Sequence, residues 1–165
     1  MNVIIFLDFD GVLHPFSARN DATGKLVFLP RLERFLREFP SIRIVITSEW
    51  RIRHRFDTLQ AFFADDIGNR IIGITPEIEI DASSGQSWIG CRQREAMAFL
   101  ETSGLPQNTP WVALDDTPEC WLPGAPLVLC EDGLGEPELL VLRQLISLQC
   151  GSDKHIAEWN EEPSQ

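Results

Sequence analysis

The chain has 165 residues and a formal net charge of −11, from 25 acidic side chains against 14 lysines and arginines. This length predicts one domain with its own core, and the acidic balance argues against broad, nonspecific binding to nucleic acid or anionic membranes. No apolar run approaches the roughly 20 residues that a membrane-spanning helix needs, and the N-terminal run is too short for a signal peptide. The four cysteines lack a metal-binding spacing, which is typical of reduced thiols in a cytoplasmic protein.

The first predicted element is a buried strand that ends in two carboxylates. Residues 3–7 are all apolar, and Asp8, Phe9, Asp10 and Gly11 follow directly. A short apolar run of this kind is typical of a strand inside a parallel α/β sheet. Because residues i and i+2 of an extended segment point to the same side, we expect Asp8 and Asp10 to face one cavity. Two like charges there predict a divalent cation, and oxygen ligands suit Mg²⁺.

Helices and short apolar strands alternate along the rest of the chain. The predicted helices are 30–39, 51–64, 92–103 and 136–148. The predicted later strands are 42–46, 70–74, 111–114 and 127–130. Polar loops are expected over 14–28 and 77–90, and the acidic tail 151–165 is expected to be disordered. The alternation predicts βαβ units and a parallel sheet, in one domain over 1–150.

Three of the five predicted strands end in polar residues that can take part in chemistry. These residues are Asp8 and Asp10, Thr47 and Ser48, and Asp115 and Asp116. The carboxyl ends of parallel strands meet at one edge of the sheet, and ligands bind outside that edge. We therefore expect these side chains to form one site.

The set contains a candidate for each part that phosphoryl transfer requires. Asp8 can attack phosphorus as a nucleophile, and Asp10 is placed to protonate the leaving oxygen and later to activate water. Thr47 can donate its hydroxyl to a phosphoryl oxygen, with Ser48 as the alternative. The expected ligands of Mg²⁺ are Asp8, the backbone carbonyl of Asp10, and Asp115 or Asp116, of which Asp115 is the more direct. Arg92 or Arg94 would supply a compensating cation.

The chain resembles the haloacid dehalogenase (HAD) superfamily at four motifs over about residues 1–148. The motifs are Asp8-Phe9-Asp10-Gly11-Val12, Ile44-Val45-Ile46-Thr47, Arg92, and Val112-Ala113-Leu114-Asp115-Asp116. The third motif departs from the superfamily, which usually has lysine there. The resemblance implies a Rossmann-like parallel sheet of order 5-4-1-2-3 with helices on both faces. It also implies a Mg²⁺-dependent phosphatase.

Short connections leave no room for a large cap domain, so an open site is expected. Such a site admits a large phosphorylated substrate, such as a protein or a nucleic-acid end. The segment Thr47-Ser48-Glu49-Trp50-Arg51 resembles small capless HAD domains linked to RNA-end repair, which leaves a 3′-end phosphatase open although the net charge does not favour nucleic acid. Arg92 in place of lysine leaves a non-catalytic binding module open, whereas Asp10 argues against a dehalogenase.

Several other side chains have both a functional and a structural interpretation. A basic cluster is formed by Arg51, Arg53, His54 and Arg55. It can bind a second phosphate, but a solvated helix face is the preferred interpretation. Trp50 and Trp88 can stack on a base, but packing over loops is preferred. A role for His14 in contacting substrate has little support from sequence.

Overall fold

A computed structural model describes residues 2–19, 25–80 and 87–151. The strands are β1 (Ile4–Leu7), β2 (Arg43–Ile46), β3 (Ile71–Ile74), β4 (Trp111–Asp115) and β5 (Leu127–Leu129). The helices are α1 (Leu29–Glu38), α2 (Trp50–Arg53), α3 (Phe56–Gln60), α4 (Asp65–Gly68), α5 (Cys91–Thr102) and α6 (Glu136–Gly151). The strands form one parallel sheet of order β3-β2-β1-β4-β5, which is the predicted order 5-4-1-2-3 read from the other edge. The predicted fold class is therefore confirmed.

Both faces of the sheet are covered, which explains why the central strands are apolar along their whole length. In β1, Ile5 and Leu7 pack in one core layer with residues of α1, α3 and α6. Ile4 and Phe6 point to the opposite face and pack in a second layer with Ala96 of α5. This alternation follows from the period of two in an extended strand. All four side chains of β1 are fully buried, and each contributes about 1.5–3 kcal/mol through burial.

The strand register brings three polar residues to one edge of the sheet. Leu7 of β1 lies between Ile46 of β2 and Leu114 of β4. The residues that follow these three are Asp8, Thr47 and Asp115. The peptide N–H of Thr47 donates to the Leu7 carbonyl, and that of Asp8 donates to the Leu114 carbonyl. The predicted juxtaposition of strand ends is therefore present in the structure.

The single helix predicted over 51–64 is wrong. The chain instead forms α2 and α3, joined through His54 and Arg55 in extended conformation, and then α4. Ile52 in α2 is 55% exposed. Tertiary contacts explain the break, because hydrogen bonds of Arg51 hold α2 while the buried side chain of Leu59 holds α3. The extended link allows both contacts to form.

The two connections that could hold a cap domain run from β1 to α1 and from β3 to α5. Within the described ranges, the segment between β1 and α1 contains a 3₁₀ turn at Phe16–Ala18, and the segment between β3 and α5 contains no helix or strand. Neither segment forms a cap domain in those ranges. The predicted tail lies outside the described residues, except for Gly151 at the end of α6. None of the described helices is long and apolar enough to cross a membrane.

Arg70 joins the end of α1 to the neighbouring strands. Its guanidinium donates hydrogen bonds to the backbone carbonyls of Leu36, Phe39 and Ile42 at 2.8, 2.6 and 3.1 Å. We predict that Arg70→Met lowers the free energy of unfolding by about 2 kcal/mol, because these charge-assisted bonds are lost. Urea unfolding measures the change. The control is Arg34→Met on the exposed face of α1, where we expect a change below about 0.5 kcal/mol; equal effects would contradict the prediction.

Candidate functional site

Three aspartates at the edge of the sheet form one acidic cluster. One carboxylate oxygen from each of Asp8, Asp115 and Asp116 lies within 4.8 Å of the others. Asp8 is 2% exposed and Asp115 is fully buried, whereas Asp116 is half-buried. Buried carboxylates at this spacing repel one another and each carries a desolvation cost of several kcal/mol. The cluster therefore requires positive charge close by.

Arg92 at the start of α5 supplies part of that charge. Its Nη1 donates to Asp8 Oδ2 and to Asp115 Oδ2, both at 2.6 Å. Burial alone would lower the pKa of Arg92, but the charges of these two carboxylates outweigh it and hold the pKa above its usual value. Arg94 instead donates to two backbone carbonyls of the preceding loop, at 2.7 and 2.8 Å. Of the two arginines that the sequence left open, the structure brings Arg92 to the carboxylates.

Asp115 is held in a fixed orientation by three donors. Its Oδ1 accepts a hydrogen bond from the Thr117 peptide N–H at 2.9 Å, and its Oδ2 accepts one from Trp121 Nε1 at 3.0 Å in addition to that from Arg92. Burial raises the pKa of Asp115 to about 6, and the nearby charge of Asp8 adds to the effect while Arg92 opposes it. Trp121 was not identified from the sequence, since nothing in its spacing marks a contact with Asp115.

Asp116 reaches the cluster because the loop after β1 has a glycine. Gly11 has φ +75°, and a Cβ built on it would lie 2.1 Å from Asp116 Oδ2. Asp116 Oδ1 accepts the Thr117 hydroxyl at 2.9 Å, and burial raises the pKa of Asp116. The described cluster thus combines three carboxylates with the single cation of Arg92. A donor set of oxygens with excess negative charge fits a hard divalent cation such as Mg²⁺.

The side chain of Asp10 lies apart from the acidic cluster and has its own partners. Its Oδ1 lies 2.8 Å from His14 Nε2, and its Oδ2 accepts a hydrogen bond from Trp50 Nε1 at 3.1 Å. The Leu26 peptide N–H donates to His14 Nδ1 at 3.3 Å, so Nδ1 is the acceptor and Nε2 carries the hydrogen donated to Asp10. The Asp10 side chain is 25% exposed. It is therefore oriented by two rings and remains open to a ligand.

Thr47 has a buried hydroxyl with unused hydrogen-bonding capacity. Its side chain is fully buried, and its Oγ1 has no partner among the residues described. Unpartnered buried hydroxyls are uncommon and call for an explanation. Ser48 Oγ, the alternative, accepts the Trp50 peptide N–H at 3.4 Å. Thr75, which directly follows β3, also has a buried Oγ1 without a partner among the described residues. Its position directly after a strand is the feature that marks it in the sequence.

Arg51 is a structural member of the predicted basic cluster. Its guanidinium pairs with Glu95 of α5 at 2.7 Å and donates to the carbonyls of Thr47 and Thr75. Burial raises the pKa of Glu95, while the charge of Arg51 opposes that shift. The Arg51 side chain is only 5% exposed, so it ties the ends of β2 and β3 to α5. The other three members of the cluster are exposed.

Two cavities of different charge open beside these residues. The basic cleft, of about 310 Å³, is lined by Asp10, Phe16, Arg19, Lys25, Glu49, Trp50, Arg53 and His54. The acidic cavity, of about 340 Å³, is lined by Arg92 together with Glu49, Arg51, Ile52, Glu77, Ile78, Glu79, Cys91, Glu95, Thr117 and Cys120. Trp88 is 52% exposed and lines neither of them.

Comparison with known protein families gives a match over most of the chain. The family model described as the HAD domain in Swiss Army Knife RNA repair proteins matches residues 4–139. That span contains all five strands and every side chain of the acidic cluster. Neither a curated protein nor a solved structure matches the chain.

The contacts of the two arginines predict different effects on stability. We expect Arg92→Met to lower the free energy of unfolding by about 3 kcal/mol or more, because it leaves two buried carboxylates without their cation. Arg94→Met is the matched control, and it should change the same quantity by less than about 1 kcal/mol. Urea unfolding of both variants beside the wild type measures the difference. Equal destabilisation would mean that Arg92 does not compensate the cluster.

Proposed function

The chain belongs to the family of HAD domains found in Swiss Army Knife RNA repair proteins, and from that membership we propose that it is a Mg²⁺-dependent phosphomonoester hydrolase. Catalysis proceeds through an aspartyl phosphate on Asp8. The observation that carries the proposal is the pairing of a buried Asp8 carboxylate, held by Arg92, with an Asp10 side chain that lines an open cleft. One carboxylate is thereby fixed as a nucleophile, and the other is free to exchange protons with substrate and water.

The reaction has two steps on these carboxylates. In the first, an oxygen of Asp8 attacks phosphorus, and the bond from phosphorus to the leaving oxygen breaks. Asp10 gives a proton to that leaving oxygen, so the alcohol departs neutral. In the second step, Asp10 takes a proton from a water molecule that attacks the phosphorus of the aspartyl phosphate. The bond to Asp8 breaks, and inorganic phosphate is released.

The remaining residues hold the reacting groups in place. Asp10 is oriented by hydrogen bonds with His14 and Trp50, which limits the entropy lost when it meets the substrate. The unpartnered hydroxyl of Thr47 is available to donate to a phosphoryl oxygen. Arg92 takes the place of the lysine usual in the superfamily, and its single Nη1 contacts two carboxylates.

Mg²⁺ would be held by Asp8, the backbone carbonyl of Asp10 and the pair Asp115 and Asp116. The hydrogen bonds favour Asp116 as the more direct ligand, because both oxygens of Asp115 already accept bonds from Thr117, Trp121 and Arg92. When bound, the metal supplies charge that offsets the phosphoryl oxygens and orients them for attack.

A narrower proposal is that the substrate is the 3′-phosphorylated end of a nucleic acid. The family description, which names RNA repair proteins, supports it. The basic cleft beside Asp10 supports it as well, because it offers cations where the alcohol half of a substrate would lie. A non-catalytic binding module is the competing interpretation, and the arginine at position 92 is the feature that favours it.

Substitution of the two carboxylates tests the mechanism. We predict that Asp8→Asn lowers hydrolysis of an aryl phosphate by more than about 10³-fold, because the nucleophile is lost, and that Asp10→Asn lowers it by about 10²–10⁴-fold. Phosphate release is measured with and without Mg²⁺. The control is Asp65→Asn, at an exposed position of α4, and circular dichroism checks the folding of each variant. Metal-independent turnover, or an active Asp8→Asn enzyme, would contradict the mechanism. No turnover by the wild type on aryl phosphate or on 3′-phosphorylated oligonucleotide would favour the binding module.

Trp50 allows a test of whether the orientation of Asp10 matters, because it donates to Asp10 through Nε1 alone. Trp50→Phe keeps an aromatic ring and removes the Nε1–H, so we expect kcat to fall by up to about tenfold. Trp88→Phe, an exposed tryptophan outside the basic cleft, is the matched control and should leave kcat within twofold. Steady-state kinetics on an aryl phosphate separate the two, and equal effects would remove Trp50 from a role in orienting Asp10.

A further inference from the structure

The three cations that line the basic cleft outnumber its two carboxylates, Asp10 and Glu49. Within residues 2–19, 25–80 and 87–151, no ion pair joins a carboxylate to Arg19, Lys25 or Arg53. Of the other described arginines, six form such pairs, whereas Arg34, Arg43, Arg70 and Arg94 do not. In a protein of net charge −11, three exposed cations gathered in one cleft without ion-pair partners favour an anionic ligand.

Aromatic side chains lie beside these cations. Phe16 is 51% exposed, unlike the aromatic residues of the core, and the guanidinium of Arg19 lies 4.2 Å from its ring centroid. The ammonium of Lys25 lies 5.4 Å from the ring of Trp50. An exposed ring with a guanidinium against it is a surface on which a nucleobase stacks, and the neighbouring cations contact the strand's phosphates. A single phosphate on a small alcohol would use only part of this surface.

The position of Asp10 indicates which half of the substrate enters the cleft. Asp10 lines the basic cleft and, in the proposed function, protonates the leaving oxygen. The alcohol half of the substrate must therefore extend from Asp10 along this cleft. The acidic cavity is unsuitable for a polyanion, because its carboxylates Glu49, Glu77, Glu79 and Glu95 outnumber its cations Arg51 and Arg92.

We propose that the basic cleft is the leaving-strand subsite, which holds the terminal nucleotide on Phe16 and Arg19 and the next phosphodiester on Lys25 and Arg53. This inference rests on the proposed function. The ligand is a single strand of RNA or DNA that carries a terminal phosphate. During the first step the bond from phosphorus to the terminal hydroxyl oxygen breaks, that oxygen takes the proton from Asp10, and the phosphoryl group stays on Asp8 while the strand remains in the cleft.

Binding to an inactive enzyme tests the subsite separately from catalysis. In an Asp8→Asn background, we measure the fluorescence anisotropy of a labelled, 3′-phosphorylated oligoribonucleotide over a range of salt concentrations. Lys25→Glu and Arg53→Glu should each weaken binding by about fivefold or more, and each should reduce the slope of log K against log salt by about 0.7. Arg34→Glu is the control, because it makes the same change in net charge on an exposed site outside the cleft; it should stay within twofold. Arg53→Gln repeats the test without charge reversal.

Stacking is tested by removing the exposed ring. Phe16→Ala should weaken oligoribonucleotide binding by about fivefold or more, with little change in the salt slope, because no charge is lost. Trp88→Ala removes an equally exposed aromatic side chain outside the cleft and should stay within twofold. Circular dichroism of each variant checks that the fold is retained.

The outcomes separate this inference from the function on which it rests. The same binding measurement is made with the matching 3′-phosphorylated oligodeoxyribonucleotide. Binding of RNA, of DNA or of both that depends on the cleft residues supports the subsite, and the comparison shows which sugar is accepted. Binding that is equal in cleft and control variants overturns it, as does preferential binding of a phosphopeptide of matched charge. If aryl phosphate is hydrolysed with Mg²⁺ but the cleft variants bind normally, only the subsite fails. If binding depends on the cleft but no phosphate is hydrolysed, only the proposed function fails.

Discussion

The contact of Arg92 with two buried carboxylates is the interaction on which the site depends. Asp8 directly follows β1 and Asp115 ends the neighbouring strand β4, each one residue beyond the paired Leu7 and Leu114, so the sheet itself forces their charges together where water is excluded. Leaving such a pair uncompensated would cost several kcal/mol. One guanidinium nitrogen at 2.6 Å from both oxygens offsets that repulsion. Arginine stays protonated at any physiological pH. Its charge therefore does not depend on the local environment, whereas the charge of a buried lysine would.

A second ion pair fixes the position of the helix that carries Arg92. Glu95 lies one helical turn after Arg92 on α5, and it pairs with Arg51 of α2. Arg51 in turn bonds the carbonyls of Thr47 and Thr75 at the ends of β2 and β3. The helix that carries the compensating cation is therefore fixed to the edge of the sheet that carries the acids. This network also explains the break after α2, since α2 has to stay at the sheet edge.

Charge is distributed unevenly over this protein, and the net charge does not show it. The surplus of acidic side chains disfavours a polyanion on most of the surface, and the acidic cavity beside Arg92 follows that trend. The basic cleft beside Asp10 does not. A screened electrostatic field acts over about 8–10 Å. The three exposed cations of the cleft outnumber its own two carboxylates, Asp10 and Glu49, and they act more strongly than distant carboxylates on a ligand that reaches them. Net charge therefore describes nonspecific association better than it describes a site.

The sequence by itself determined the sheet and the aspartates at its edge. Continuous apolar runs predict strands covered on both faces, and the residue after each run falls at the same edge whatever the helices do, so Asp8 and Asp115 were predictable. Tertiary structure alone decided between Arg92 and Arg94, because residues two apart on a helix point in different directions and the docking of α5 selects one. It likewise decided that Trp50, forty positions from Asp10, orients that carboxylate. The local pattern of apolar and polar residues indicates which residues are buried. Contacts between distant segments depend instead on how those segments pack.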